Sequence, residues 1–196
     1  MNAELRLVRN ACYVIFMAIL AIAVTLPAAG QVETIDATAR GTSTQMGSNI
    51  GVKVIISQFS TPEDREALKS AFLSGGNKGL VDALSKMKSS GRIQITGTTG
   101  QTLAYAVTIP TPTGRKIRFV TDRMIRFGEV ARNTRSTAYD LTAGEIDIND
   151  QDKNKSAGVL YPAAQLIINA DGELQLELRR NPWQLTNIID WKPKAQ

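Results

Sequence analysis

Between positions 115 and 135 the chain carries Arg115, Lys116, Arg118, Arg123, Arg126, Arg132 and Arg135, faced in that window only by Asp122 and Glu129. Arginines set side by side on neighbouring strands can take a carboxylate, phosphate or sulfate through paired N–H groups. Lys116, Arg118, Arg123 and Arg126 are therefore the candidate ligand-binding residues, weighed against a solvated outer face that pairs with nearby acids. A second chemical cluster follows in EIDINDQDKNKSAG, where Asp150, Asp152 and Asn154 alternate like calcium ligands. An EF loop counted from Asp150 puts Lys155 where glycine is required and Tyr161 where the bidentate glutamate belongs, so that reading fails. A simpler acidic turn remains a weak metal candidate, opposed by Lys153 and Lys155. Glu145 and Asp147 share one strand face and could serve acid–base chemistry, but no second carboxylate at a glycosidase distance is visible. Ser85-Lys86-Met87-Lys88 matches the S-x-x-K pattern without the S-D-N and K-T-G elements that accompany it in penicillin-recognising enzymes.

Other chemistries are excluded by composition. The 196 residues include no histidine and one cysteine, Cys12. Ser-His and Cys-His catalysis, His-based zinc sites and imidazole switches are thereby removed, and no intramolecular disulfide can form. A formal charge of +5 favours anionic partners. It is too small, and too poor in stacking aromatics, for a dedicated nucleic-acid binder. No cofactor motif is present, and none is expected.

The N-terminus reads as an export signal. Arg6 and Arg9 precede the apolar run Ala11–Leu26, and Pro27-Ala28-Ala29-Gly30 supplies the small residues of a cleavage site near Ala29 or Gly30. The rival is an uncleaved membrane anchor. Removing residues 1–30 takes away Arg6, Arg9 and Glu4 and lowers the charge from +5 to +4. Residues 31–49, rich in Thr, Ser, Ala and Gly, read as a flexible linker, and residues 50–192 as a single domain. The expected location is periplasmic or secreted.

Within that domain Ile50, Val52, Val54 and Ile56 mark a strand. Thr61-Pro62-Glu63-Asp64 is a strong helix start, with a capping hydroxyl, proline at the first helical position and acids at the positive end of the dipole. Leu68 and Phe72 recur at helical spacing until Gly75-Gly76; Asn77 then opens a second helix carrying Leu80, Val81, Leu84 and Met87. From Arg92 the period drops to two. Ile93/Ile95, Leu103 to Ile109, Ile117/Phe119, Leu174 to Leu178 and Trp183 to Trp191 each read as strands. Between Ala143 and Ile146 the apolar phase changes parity, which predicts a β-bulge at Gly144.

The expected fold is α+β: a curved antiparallel sheet of about six to seven strands on an N-terminal helical hairpin, in the order strand, helix, helix, strands. That order resembles the helix-grip fold of the plant-allergen and lipid-transfer superfamily in shape, although this chain ends in alternating residues and Pro193 instead of a long helix. At IPTPTGRKIRFVTDR, TRSTAYDLTAGEIDINDQDKNKSAGVLYPAAQL and NPWQLTNIIDW the sequence resembles a group of exported hypothetical proteins from environmental bacteria. The resemblance implies secretion and a single domain and assigns no residue a role.

Three classes of function survive. The first is a non-enzymatic binding module for an anionic or amphiphilic small molecule or an envelope component. The second is a histidine-independent hydrolase built on carboxylates, and the third a structural or assembly protein acting through a strand edge. The missing histidine favours the first. An apolar cavity with an arginine at its mouth would speak for the binder; two acids converging in a cleft would speak for the enzyme.

Overall fold

A computed structural model describes residues 32–42, 48–125, 141–168, 174–178 and 182–191. The expected signal segment, Arg126, Arg132 and Arg135 lie outside them. Among these residues nine strands and one kinked α-helical segment follow in the order β1 (Glu33–Arg40), β2 (Asn49–Ile56), α1 (Pro62–Lys86), β3 (Gly91–Ile95), β4 (Gln101–Thr111), β5 (Gly114–Thr121), β6 (Leu141–Asn149), β7 (Ala157–Ile168), β8 (Leu174–Leu178) and β9 (Trp183–Trp191). The strands run β6-β5-β4-β3-β2-β1-β9-β7, and β7 returns to pair with β6. Every pairing is antiparallel, so eight strands close into a barrel. The distal half of β7, from Ala164 to Ile168, pairs with β8, and beyond Ala164, which also pairs with Leu141, the two strands form an extension.

This closed barrel, with the one kinked helical segment α1 among the described residues, replaces the expected curved sheet on a helical hairpin. Closure needs a strand in the stretch read as a linker. In β1, Glu33, Ile35, Ala37 and Ala39 are buried and alternate with Thr34, Asp36 and Thr38. Alanine against threonine gives almost no hydropathic contrast, and the strand is invisible to a period-two search even though it pairs along its whole length with β2 and along most of it with β9. The helical segment α1 is kinked where the sequence places a break. Gly76, at φ 60° and ψ −150°, has non-helical backbone, so two helices meet there, and a Cβ on Gly79 would come within 2.5 Å of the Ala71 carbonyl oxygen. Leu68 and Phe72 precede the kink, Leu80 and Leu84 follow it, and all four are buried. At the start the expected cap is present: Asp64 N–H donates to Thr61 Oγ1 at 3.3 Å, and Thr61 N–H donates to Asp64 Oδ2 at 2.8 Å.

Two apolar clusters hold these parts together. The barrel interior is filled by inward side chains that include Ile35, Val54, Ile93, Ile117, Phe119 and Trp183. An eight-stranded barrel is about the width that side chains can fill. The second cluster is outside the barrel, where Leu68, Phe72, Leu80 and Leu84 pack on Ala104 and Leu141. At roughly 1.5–3 kcal/mol for each fully buried aliphatic or aromatic side chain, this group is what holds the helical segment to the sheet.

The helix also explains the parity change in β6. Thr142, Gly144, Ile146 and Ile148 face inward without interruption, and Leu141 and Ala143 are buried because the outer face is covered there. Gly144 pairs regularly with Phe119, so the expected bulge is not at Gly144; the register irregularity lies between Leu141 and Ala143, on the β7 side. Gly144 is required for another reason. A Cβ there would overlap the Phe119 ring, which lies against the bare backbone. Gly144→Ala is expected to destabilise the barrel by about 1–3 kcal/mol, the usual range for overpacking. Urea unfolding checks this, and Phe119→Leu in the same chain should recover part of the loss.

Candidate functional site

Where α1 crosses the outer face of β4 and β5 it leaves a groove of about 950 Å³. Leu68, Phe72 and Leu84 line the helical side, and Tyr105, Val107 and Val120 the sheet side. The register of β4 shifts between Leu103 and Tyr105. Leu103 and Ala106 point into the barrel, whereas Ala104 and Tyr105 both meet the helix. That bulge puts a small residue under the helix, allowing close approach, and turns the tyrosine into the groove. Ile109, 38% exposed, continues the apolar floor toward solvent.

The rim is cationic. Arg65 and Lys69 come from the first turns of α1 and Arg118 from β5. Among the described residues Lys69 makes an exposed contact at 3.7 Å with Glu66. Burial raises the Tyr105 hydroxyl pKa, against the pull of the Arg65 charge, which places that guanidinium close to the groove wall. Arg118 donates through Nε to Glu145 Oε2 at 2.6 Å, which leaves its terminal nitrogens without an acceptor among the described residues. An apolar floor ending in guanidinium and ammonium groups suits a molecule with a hydrocarbon body and an anionic head.

Of the four basic residues singled out in the sequence, two act together. Lys116 Nζ lies 2.8 Å from Glu145 Oε1, so Lys116 and Arg118 share one carboxylate. Burial pushes the Glu145 carboxyl up, but the hydrogen bonds and charges of Lys116 and Arg118 more than reverse this and hold it below the ordinary value. A depressed folded-state pKa gives stability that is present above the unfolded value, about 4.3, and is lost as pH falls through the folded one. Glu145→Gln is therefore expected to cost about 1 kcal/mol near neutrality and progressively less below about pH 4. Denaturant titrations at several pH values test it; a deficit that persists unchanged into acid would contradict this origin.

Arg123 does not join them. It forms a two-point pair with Asp122, at 3.0 and 2.9 Å, and lines a separate pocket of about 440 Å³ with Ile93, Gln101 and Met124. Arg126 lies outside the described residues. In the acidic turn, Asp152 caps a short 3₁₀ turn, accepting from Asn154 N–H, and meets Lys155 at 3.6 Å. No three histidine, cysteine, aspartate or glutamate side chains converge on a metal position among the described residues. Ser85 Oγ donates to the Asp82 carbonyl on its own helix.

The two most buried carboxylates among the ion pairs of the described residues, Glu33 and Asp190, belong to a cluster around Arg115 that is not among the candidate ligand-binding residues. Arg115 shares the inward parity of Ile117 and Phe119, and β5 stands opposite β1 in the barrel order. Its guanidinium crosses the end of the barrel to Glu33 at 2.6 and 3.1 Å and to Asp190 on β9 at 2.7 Å. Burial alone would lower the Arg115 pKa, but the two acids raise it above its ordinary value. Its charge is lost only as pH rises through that raised value, so it is permanent at any physiological pH. Parity with Ile117 was the signal that could have revealed it. No family model, no curated protein and no solved structure matches the chain.

Proposed function

We propose that the protein is an exported, non-enzymatic binding module that holds an anionic amphiphile in the groove between α1 and the barrel. One observation carries this reading: a groove of about 950 Å³ joins an apolar floor to the side chains of Arg118, Arg65 and Lys69. The hydrocarbon chain lies along Phe72, Leu84, Tyr105 and Val107, and the head group reaches the rim. The hydrolase reading has less support. Two acids do converge, Glu33 and Asp190, but both are bound by Arg115, which holds them as fixed counter-charges.

Native mass spectrometry of the protein purified from the periplasm tests the reading. The expected result is a bound mass, or uptake of palmitate or a phosphatidylglycerol vesicle lipid with a raised melting temperature. A ligand-free mass together with no thermal shift from either lipid would overturn it.

A further inference from the structure

Along β9 the inward face changes parity. Trp183 and Leu185 are buried, and after them Ile188 and Asp190, so that Ile189 and Trp191 turn outward. The switch is made at Asn187, which at φ 51° is the one non-glycine residue of positive φ among the described residues, opposite a register shift between Asp36 and Thr38 of β1. Backbone of this kind persists where it re-aims side chains. Without it Ile189 and Trp191 would share the inward parity of Trp183; with it they stand on the outer face, 49% and 57% exposed. The pairings set them in two rows across four strands. Trp191, Thr34, Ile55 and Arg92 form the first row, and Ile189, Asp36, Lys53 and Gln94 the second. Beside the second row lies a depression of about 320 Å³, lined by Asp36, Lys53, Gln94 and Thr96 and opened by the bare backbone of Gly51. A Cβ at Gly51 would overlap Thr96 Oγ1, which donates to the Gly51 carbonyl at 3.1 Å.

The chemistry of this face says what it fits. Trp191 donates its Nε1–H to Asp36 Oδ2 at 2.8 Å, a diagonal contact across β1 that fixes the indole and leaves its ring as the group on offer. Lys53 Nζ lies 3.7 Å from Asp36 Oδ1, so those two charges offset each other, and Gln94 Nε2 donates to the Thr98 carbonyl at 3.3 Å while its own oxygen remains an acceptor. Arg92 leaves the two rows a single net positive charge, a poor match for an anionic bilayer or a nucleic acid, which call for clustered cations. Strand spacing and rise give the rows and the depression about 14 Å in each direction, or roughly 200 Å², against the roughly 800 Å² per partner of a stable protein interface. A sugar chain fits both size and chemistry, since its rings present apolar C–H faces and its hydroxyls donate and accept. We propose that the outer face of β9, β1, β2 and β3 binds a neutral pyranose oligosaccharide, one ring stacked on Trp191 and Ile189 and the next turning its hydroxyls to Asp36, Lys53 and Gln94. The site shares no residue with the groove and is independent of the function proposed for it.

Calorimetric titration of the full chain with cellotetraose and with maltotetraose tests this, with tetraethylene glycol as a control that has oxygens but no rings. The expected result is saturable binding of at least one sugar with a dissociation constant on the order of 1 mM, and none of the glycol. Trp191→Ala should weaken binding at least about tenfold and Gln94→Ala about threefold, with Trp191→Phe, which keeps a ring but not the bond to Asp36, between them. If Trp191→Ala fails to fold, Gln94→Ala and the Trp191 indole N–H resonance of the native chain, which should move as the sugar saturates, still decide. No saturable heat from either sugar, equal binding of the glycol, or an affinity unmoved by both alanine variants would overturn the proposal. So would a concentration-dependent dimer abolished by Trp191→Ala, which would assign the face to a second copy of the chain.

Discussion

Replacing Arg115 with methionine is expected to destabilise the protein by about 3 kcal/mol, the lower end of what removing one partner of a buried ion pair costs. The lower end applies because the guanidinium side chain keeps 22% exposure, whereas Glu33 and Asp190 keep 8% and 10%. Methionine fills much of the same volume, so the loss comes from removing the cation shared by two carboxylates that lie near each other on the adjacent strands β1 and β9. Arg115→Lys should recover less than half of it, since an ammonium cannot present the forked N–H groups that engage both acids at once. Adding Glu33→Gln and Asp190→Asn to the methionine variant should recover most of it, because replacing a whole buried ionic group with neutral side chains is far milder than breaking it. Guanidinium chloride would mask the charges, so urea unfolding is the measurement. A methionine variant within about 0.5 kcal/mol of the native chain would show that water screens this cluster as it does an ordinary surface pair.

The same residue shows how far the sequence could be read. Alternation marked β5 correctly as apolar on one side and cationic on the other, and from that Lys116 and Arg118 were placed together on the outer face, where they share Glu145. Arg115 has the opposite parity and was legible as an inward charge. What could not be read was its partners, 82 and 75 residues away in the chain. The fold was missed for a related reason. Local periodicity shows that strands exist; closure depends on the first strand, β1, meeting the last, β9, a pairing that no window contains. β1 was hidden further by its alanines. The parity change in β6 was visible, but a bulge and a covering helix leave the same trace in a sequence, and only the packing of Leu141 on α1 distinguishes them. The groove combines both limits, since Arg118 is identified from the alternation of β5, while nothing in the local pattern links Arg65 and Lys69 on α1 to that strand.

The groove makes the second large prediction. Val107→Glu is expected to weaken palmitate binding at least about 100-fold while leaving the barrel folded. Val107 is half-buried on the groove floor and stands directly opposite Arg118 in the β4–β5 register. Cross-strand partners lie within about 5 Å of each other at Cβ, so the new carboxylate reaches the guanidinium that the ligand head would use. One substitution then acts on both halves of the site. It neutralises the cation at the rim, and it puts a charge on the floor that a hydrocarbon chain would have to bury. Together these exceed about 2.7 kcal/mol, which is the 100-fold loss. Two milder variants separate the contributions: Val107→Ala removes only contact area and should cost a few-fold, and Arg118→Gln removes only the charge and should cost about tenfold, with Lys116 still holding Glu145. Displacement of a fluorescent fatty acid reads all three. The Arg118→Gln loss should shrink as salt rises and the Val107→Ala loss should not, because screening acts on the head group and leaves the chain contact unchanged. Palmitate affinity that survives Val107→Glu would place the ligand elsewhere on the molecule and remove the groove as the binding site.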